Sequence, residues 1–125
     1  MTKRLLVVED DTSVVRFLET YLGAEGYEVE SAPDGLQGLL KLKVFHPDLA
    51  IVDLMMPDVG GMRLLEQLFE EGGDELPVPV VVITGWPDGA AKCRRFLPPE
   101  DVLEKPFEPE QLLARIRIHL GEETP

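Results

Sequence analysis

The chain has few of the features that supply a covalent staple, a membrane anchor or a grip on nucleic acid. Its one cysteine, Cys93, leaves no partner for an internal disulfide. No apolar run approaches the length that crosses a bilayer. The opening Met1-Thr2-Lys3-Arg4 leads into only Leu5-Leu6-Val7-Val8, too short for the apolar region of a signal peptide, so a reducing cytoplasm is the expected address. Basic residues are scarce, with 12 Lys and Arg against 24 Asp and Glu, a formal charge of −12. Affinity for nucleic acid comes mainly from counterions released by Lys and Arg, so this domain is expected neither to bind nucleic acid directly nor to sit on an anionic membrane.

What is present is enough for a core. At 125 residues the chain suits one globular domain, and 44% hydrophobic residues make it too apolar for a disordered acidic tail. Short apolar runs at 5–8, 49–52 and 78–83 each end against a polar residue and read as buried strands. The alternation over 27–31 fits a half-buried edge strand, and Val102-Leu103 makes a short last one. Between them lie helical spacings: Val14, Phe17, Leu18, Tyr21 and Leu22; Leu36, Leu39 and Leu40; Leu64, Leu65, Leu68 and Phe69; Leu112, Leu113, Ile116 and Leu120. Thr12 or Ser13 suits the cap of the first helix, Gly23 and Gly26 its end, Asp34 the cap of the second, and Pro109 the first position of the last. Residues 86–99, punctuated by Trp86-Pro87-Asp88-Gly89 and Leu97-Pro98-Pro99, leave room only for a short helix around 90–96.

Strands alternating with helices predict an α/β fold, a parallel sheet covered by helices on both faces. No linker, repeat or low-complexity block interrupts the pattern. In such a sheet, ligands sit at the carboxyl ends of the strands, where the strand order reverses. The residues that follow the apolar runs are therefore the candidates: Glu9-Asp10-Asp11, Asp53, Thr84 and Lys105. Each alone is ordinary, because acids favour a helix start and Asp or Thr-Gly commonly ends a strand. Together they bring carboxylates, a hydroxyl and an ammonium to one edge, the parts that hold a hard cation beside a phosphoryl group. Mg²⁺ takes oxygen ligands, commonly one or two carboxylates plus phosphate, and Asp10 and Asp53 are the natural pair. A carboxylate can also attack phosphorus and form an aspartyl phosphate, with Thr84 and Lys105 neutralising charge on the equatorial oxygens.

The strings Leu6-Val7-Val8-Glu9-Asp10-Asp11, Asp48-Leu49-Ala50-Ile51-Val52-Asp53-Leu54-Met55-Met56-Pro57, Pro79-Val80-Val81-Val82-Ile83-Thr84-Gly85 and Glu104-Lys105-Pro106-Phe107 jointly resemble the receiver domain of bacterial two-component response regulators. The resemblance covers residues 3–120. It implies a flavodoxin-like, doubly wound (βα)5 three-layer sandwich with parallel strand order 2-1-3-4-5, filling 1–121, with 122–125 a tail or the start of a linker. It also implies a phosphoacceptor signalling domain rather than an enzyme, in which Asp53 takes a phosphoryl group from a sensor histidine kinase or phosphotransfer protein. Glu9, Asp10 and Asp53, with the backbone carbonyl of Met55, hold Mg²⁺ or Mn²⁺ by that resemblance. Thr84 bonds the phosphoryl oxygens, Lys105 pairs with them, the Lys105–Pro106 bond is cis, and an output domain or protein reads the resulting change. A monomer or weak homodimer is expected.

The sequence departs from the family pattern in places. Val102 stands where the family usually carries Tyr or Phe, three residues before the lysine, so the usual aromatic gate is missing. Leu97-Pro98-Pro99-Glu100 replaces the customary Gly-Ala, which predicts a short or irregular helix after Thr84 and switching concentrated in residues 85–101. On the last helix Arg115 fits the charge pattern of receivers that pair to bind DNA, whereas Gln111 and Glu122 do not. Met55 and Trp86 cannot orient an attacking water as an acid or amide could, which predicts slow self-dephosphorylation.

The alternative is a pseudo-receiver, a protein-binding module that keeps the fold without phosphorylation. An aspartyl phosphatase would want a second acid where Met55 stands, and a flavin site would need a phosphate-cradling loop where three acids stand. Glu9, Asp10 and Asp53 with Lys105 account for −3 + 1 = −2 of the charge, which one divalent cation balances, leaving −10 on the rest.

Overall fold

The structure is a computed structural model that describes residues 2–54, 61–71 and 77–122. Strands and helices alternate as β1 (Arg4–Val8), α1 (Thr12–Ala24), β2 (Glu28–Ala32), α2 (Gly35–Phe45), β3 (Leu49–Asp53), α3 (Gly61–Glu71), β4 (Val80–Thr84), α4 (Pro87–Lys92), β5 (Val102–Glu104) and α5 (Pro109–His119). The five strands form one sheet in the order β2-β1-β3-β4-β5. Every neighbouring pair is parallel, with Val8 opposite Val52, Asp53 opposite Ile83 and Thr84 opposite Glu104.

Period-two alternation along the strands sorts the core into two layers. Leu6, Val8, Ala50, Val52, Val80 and Val82 pack with Leu64, Leu65 and Leu68 of α3 and with Cys93 and Leu97. Leu5, Val7, Ile51, Val81 and Ile83 face the other way, onto Leu18 and Leu22 of α1 and Leu112, Leu113 and Ile116 of α5. Cys93 is a packing residue, and burial pushes its thiol up to about 11, so it is inert at neutral pH.

Three local expectations need adjustment. Asp11, not Thr12 or Ser13, caps α1, because its carboxylate accepts from the amides of both Ser13 and Val14 at 2.9 and 3.4 Å. Leu36 and Leu40 of α2 face solvent, at 58% and 56% exposure. The buried side of that helix carries Gly35, Gly38 and Phe45 instead, and an added Cβ at Gly38 would come within 3.0–3.4 Å of Val8 and Leu64, so the glycine lets the helix lie close to the sheet. The helix after β4 begins at Pro87, three residues earlier than its apolar spacing implied, because proline is favoured at a first helical position. It is short and irregular as expected, passing into 3₁₀ turns at Cys93–Arg95 and Pro99–Asp101. Asp34 caps α2 and Pro109 opens α5, as read from the sequence, and Lys105–Pro106 is cis, as the resemblance implied.

Candidate functional site

Parallel pairing decides where the polar residues go. β1 and β3 lie side by side, and the chain leaves β1 toward β2 on one flank and β3 toward β4 on the other, so the strand order reverses between them. Glu9 directly follows Val8, Asp53 ends β3, Thr84 ends β4 and Lys105 directly follows β5. Backbone bonds hold this edge in register: the amide of Glu9 donates to the Ala32 carbonyl at 3.0 Å, and that of Lys105 to the Thr84 carbonyl at 2.7 Å.

Glu9, Asp10 and Asp53 each offer a carboxylate oxygen, and these atoms all lie within 4.8 Å of one another. Glu9 and Asp53 are 2% and 3% exposed, whereas Asp10 is open to solvent. Lys105 reaches in from β5, its Nζ 3.4 Å from Asp53 Oδ2 and 3.5 Å from Glu9 Oε2. Charge-assisted bonds settle at about 2.7–2.9 Å, so this ammonium bridges two carboxylates without closing on either. Burial, and then the adjacent Asp53 carboxylate, raise the Glu9 carboxyl well above the usual carboxylate range, while Lys105 pulls it back. Three acids in such a space call for more positive charge than one lysine supplies.

The donor set fits a hard divalent cation. Oxygens about 2.1 Å from Mg²⁺ in an octahedron stand about 3 Å apart when adjacent and about 4 Å when opposite, the scale of this cluster. Asp10 leaves one side wet, as an ion that retains waters requires. Met55, whose carbonyl was expected to join the set, lies outside the described residues.

Thr84 is fully buried, and its Oγ1 accepts from the backbone amide of Trp86 at 2.9 Å. Asp53, Thr84 and Lys105, expected from separate motifs, thus share one edge with the acid cluster. The spacing of residues did not reveal the clamp on Asp101, which is 2% exposed and takes Arg115 Nε at 2.9 Å and His119 Nε2 at 2.8 Å on its Oδ1. It pins α5 to the turn before β5, and the only sequence cue was that Arg115 and His119 lie on one helical face. Arg115, which fits a pattern for pairing between receivers, is here engaged within its own chain.

A doubly wound sheet of this order, with carboxylates, a threonine and a lysine on its carboxyl edge, defines a receiver-type α/β domain. The chain belongs to the response regulator receiver domain family, whose model matches residues 5–117. It is 38% identical over 116 residues to the "Probable transcriptional regulator ycf27" of Cyanophora paradoxa, covering 92% of this chain and 47% of that protein. It is 34% identical over 121 residues to the DNA-binding response regulator MtrA of Mycobacterium tuberculosis, covering 96% and 51%. The chain thus spans about half the length of these curated relatives. Among solved structures, the BeF3-activated N-terminal receiver domain of Klebsiella pneumoniae RstA superimposes with a TM-score of 0.83 at 29% identity, covering 96% of this chain and all of that one. A CheY-like receiver domain protein of Methanospirillum hungatei gives 0.80 at 30% identity, covering 97% and 95%. Among the described residues, no helix is long and apolar enough to cross a membrane.

Proposed function

We propose that this chain is a phosphoacceptor switch of a two-component relay, residues 1–121 forming the receiver and 122–125 a tail or linker start. The observation that carries the reading is the cluster of Glu9, Asp10 and Asp53 oxygens within 4.8 Å, bridged by Lys105 on the edge that also holds Thr84.

Asp53 is the nucleophile. A carboxylate oxygen of Asp53 forms a bond to phosphorus as the nitrogen–phosphorus bond of a phosphohistidine breaks, and an imidazole protonated on its other nitrogen leaves neutral. The transferred group passes through a transition state that requires positioning and charge neutralisation. In this reading Lys105 exchanges its contact with Asp53 Oδ2 for one with a phosphoryl oxygen, and the Thr84 hydroxyl donates to another. Glu9, Asp10 and Asp53, with Met55, would hold Mg²⁺ or Mn²⁺, which when bound supplies further positive charge to the phosphoryl oxygens. The donor is a sensor histidine kinase or phosphotransfer protein, the reader is an output domain or protein, and the setting is the cytoplasm. Nucleic-acid binding, in the names of relatives twice as long, is assigned to an output part and not to this acidic domain.

Val102 in place of an aromatic favours the pseudo-receiver reading, and the complete acid, threonine and lysine set opposes it. Incubation with acetyl phosphate and Mg²⁺, read by intact mass, separates the two. Gain of one phosphoryl group by the parent and none by Asp53→Asn is the expected outcome; an unmodified parent leaves only the binding module.

A further inference from the structure

Trp86 occupies an unusual place for the only tryptophan in the chain. It is the N-cap residue of α4 yet offers no side-chain cap, and its own backbone amide donates to Thr84 Oγ1 at 2.9 Å. Its indole folds back onto the helix it starts. A Cβ built at Gly89 would fall 2.3 Å from one ring atom and 2.9 Å from another, so the ring rests directly on the glycine backbone. Lys92, one turn further, places its Nζ 4.9 Å from the ring centroid, a cation–π contact. The ring thus meets both a residue without a side chain and a charge, both on α4.

On the β5 side, α4 is loosely backed. A cleft of about 230 Å³ lies there between Pro87, Ala90 and Ala91 of α4 and Pro99 and Val102, with Arg94 and Glu104 at it as well. The short Val102 side chain fills little of it, and 3₁₀ turns follow α4 where a continuous helix would stiffen the segment.

We infer that Trp86 is the positioning residue through which the Thr84 hydroxyl is coupled to α4, with Gly89 as its required seat. The inference rests on the phosphoacceptor reading of Asp53. Thr84 is fully buried, so its hydroxyl has few alternative partners. When Oγ1 turns to a phosphoryl oxygen, the bond from the Trp86 amide is lost or redirected. That amide belongs to the residue on which α4 begins, so the helix start and the indole move together. An aromatic ring at position 102 is unnecessary for this coupling, because the moving aromatic side chain is two residues from the threonine itself.

Emission from Trp86 reads the coupling directly. The domain is first recorded with Mg²⁺, then with acetyl phosphate, while intact mass counts phosphoryl groups in the same sample. The parent should gain one group and shift its emission. Gly89→Ala improves helix propensity but evicts the ring, so it should gain the group equally, start with displaced emission and lose the donor-dependent shift. Thr84→Ser should keep the shift, and Thr84→Val, once phosphorylated, should lack it.

A parent that gains the group without an emission change overturns the inference and leaves the phosphoacceptor reading standing. So does Gly89→Ala or phosphorylated Thr84→Val responding like the parent. No mass gain in the parent removes both readings together.

Discussion

Lys105 is the residue on which the electrostatics of the site turn. It is 30% exposed and lies 3.4 and 3.5 Å from two carboxylates that are almost fully buried, so it is a counterion occupying part of the space a metal requires. Lys105→Met should therefore act in opposite directions on two measurements. Without metal, the variant should unfold about 1 kcal/mol more easily, a value discounted for solvent access to the ammonium. Mg²⁺ should bind about tenfold more tightly by calorimetric titration, equivalent to about 1.4 kcal/mol, because a competing cation has gone. Unchanged metal affinity would show that Lys105 is only a solvated neighbour of the acids. Glu9, Asp53, Thr84 and Lys105 were legible in the sequence for a simple reason: each ends or directly follows an apolar run, and parallel strands bring such positions to one edge. Asp101 with Arg115 and His119, and Trp86 with Gly89, were not legible as pairs. Their partnership depends on side-chain reach and on where a helix starts, which no periodicity encodes.

Among the elements, the central strands and α5 were the most readable and α2 and α4 the least. Strands buried on both faces show as unbroken apolar runs, and Pro109 marks its helix start chemically. In α2 the leucines at 36 and 40 misdirect a reader of periodicity, since Gly38 makes the closer approach to the sheet and turns those leucines outward. In α4 the signal was its first proline rather than its apolar spacing. One tie between elements has a pH signature. The Tyr27 hydroxyl, just before β2, donates to Glu122 Oε1 beyond α5 at 2.5 Å. Burial first, and then the Glu122 carboxylate, push the Tyr27 phenol up to about 12 from 10.0. A folded value above the unfolded one means that the contribution is fully present below about pH 10 and is lost as pH rises through about 12. Tyr27→Phe should cost about 1 kcal/mol at neutral pH. Urea melts of parent and variant between pH 8 and 12 should show the parent losing its advantage only in the upper half of that range; parallel curves would rule out the tie.

For the whole molecule, the formal charge of −12 separates into two parts that respond to different cations. The part outside the site is diffuse self-repulsion, which any salt relieves by screening over about 10 Å at 0.1 M. The part at Glu9, Asp10 and Asp53 is local, lies partly out of water and requires a multivalent ion with oxygen geometry. A melting series in NaCl should therefore raise stability gradually and without saturation at one stoichiometry. Mg²⁺ added at constant ionic strength should stabilise further and follow a one-site law, by about 2.7 kcal/mol at a hundred times its dissociation constant. Asp10 is the ligand to alter, because it is exposed and its loss leaves the buried pair and the sheet edge untouched. Asp10→Asn should keep the NaCl response and lose most of the Mg²⁺ increment. If the variant and the parent gain equally from Mg²⁺, the ion acts on the general charge of the domain and the acid cluster is not its site.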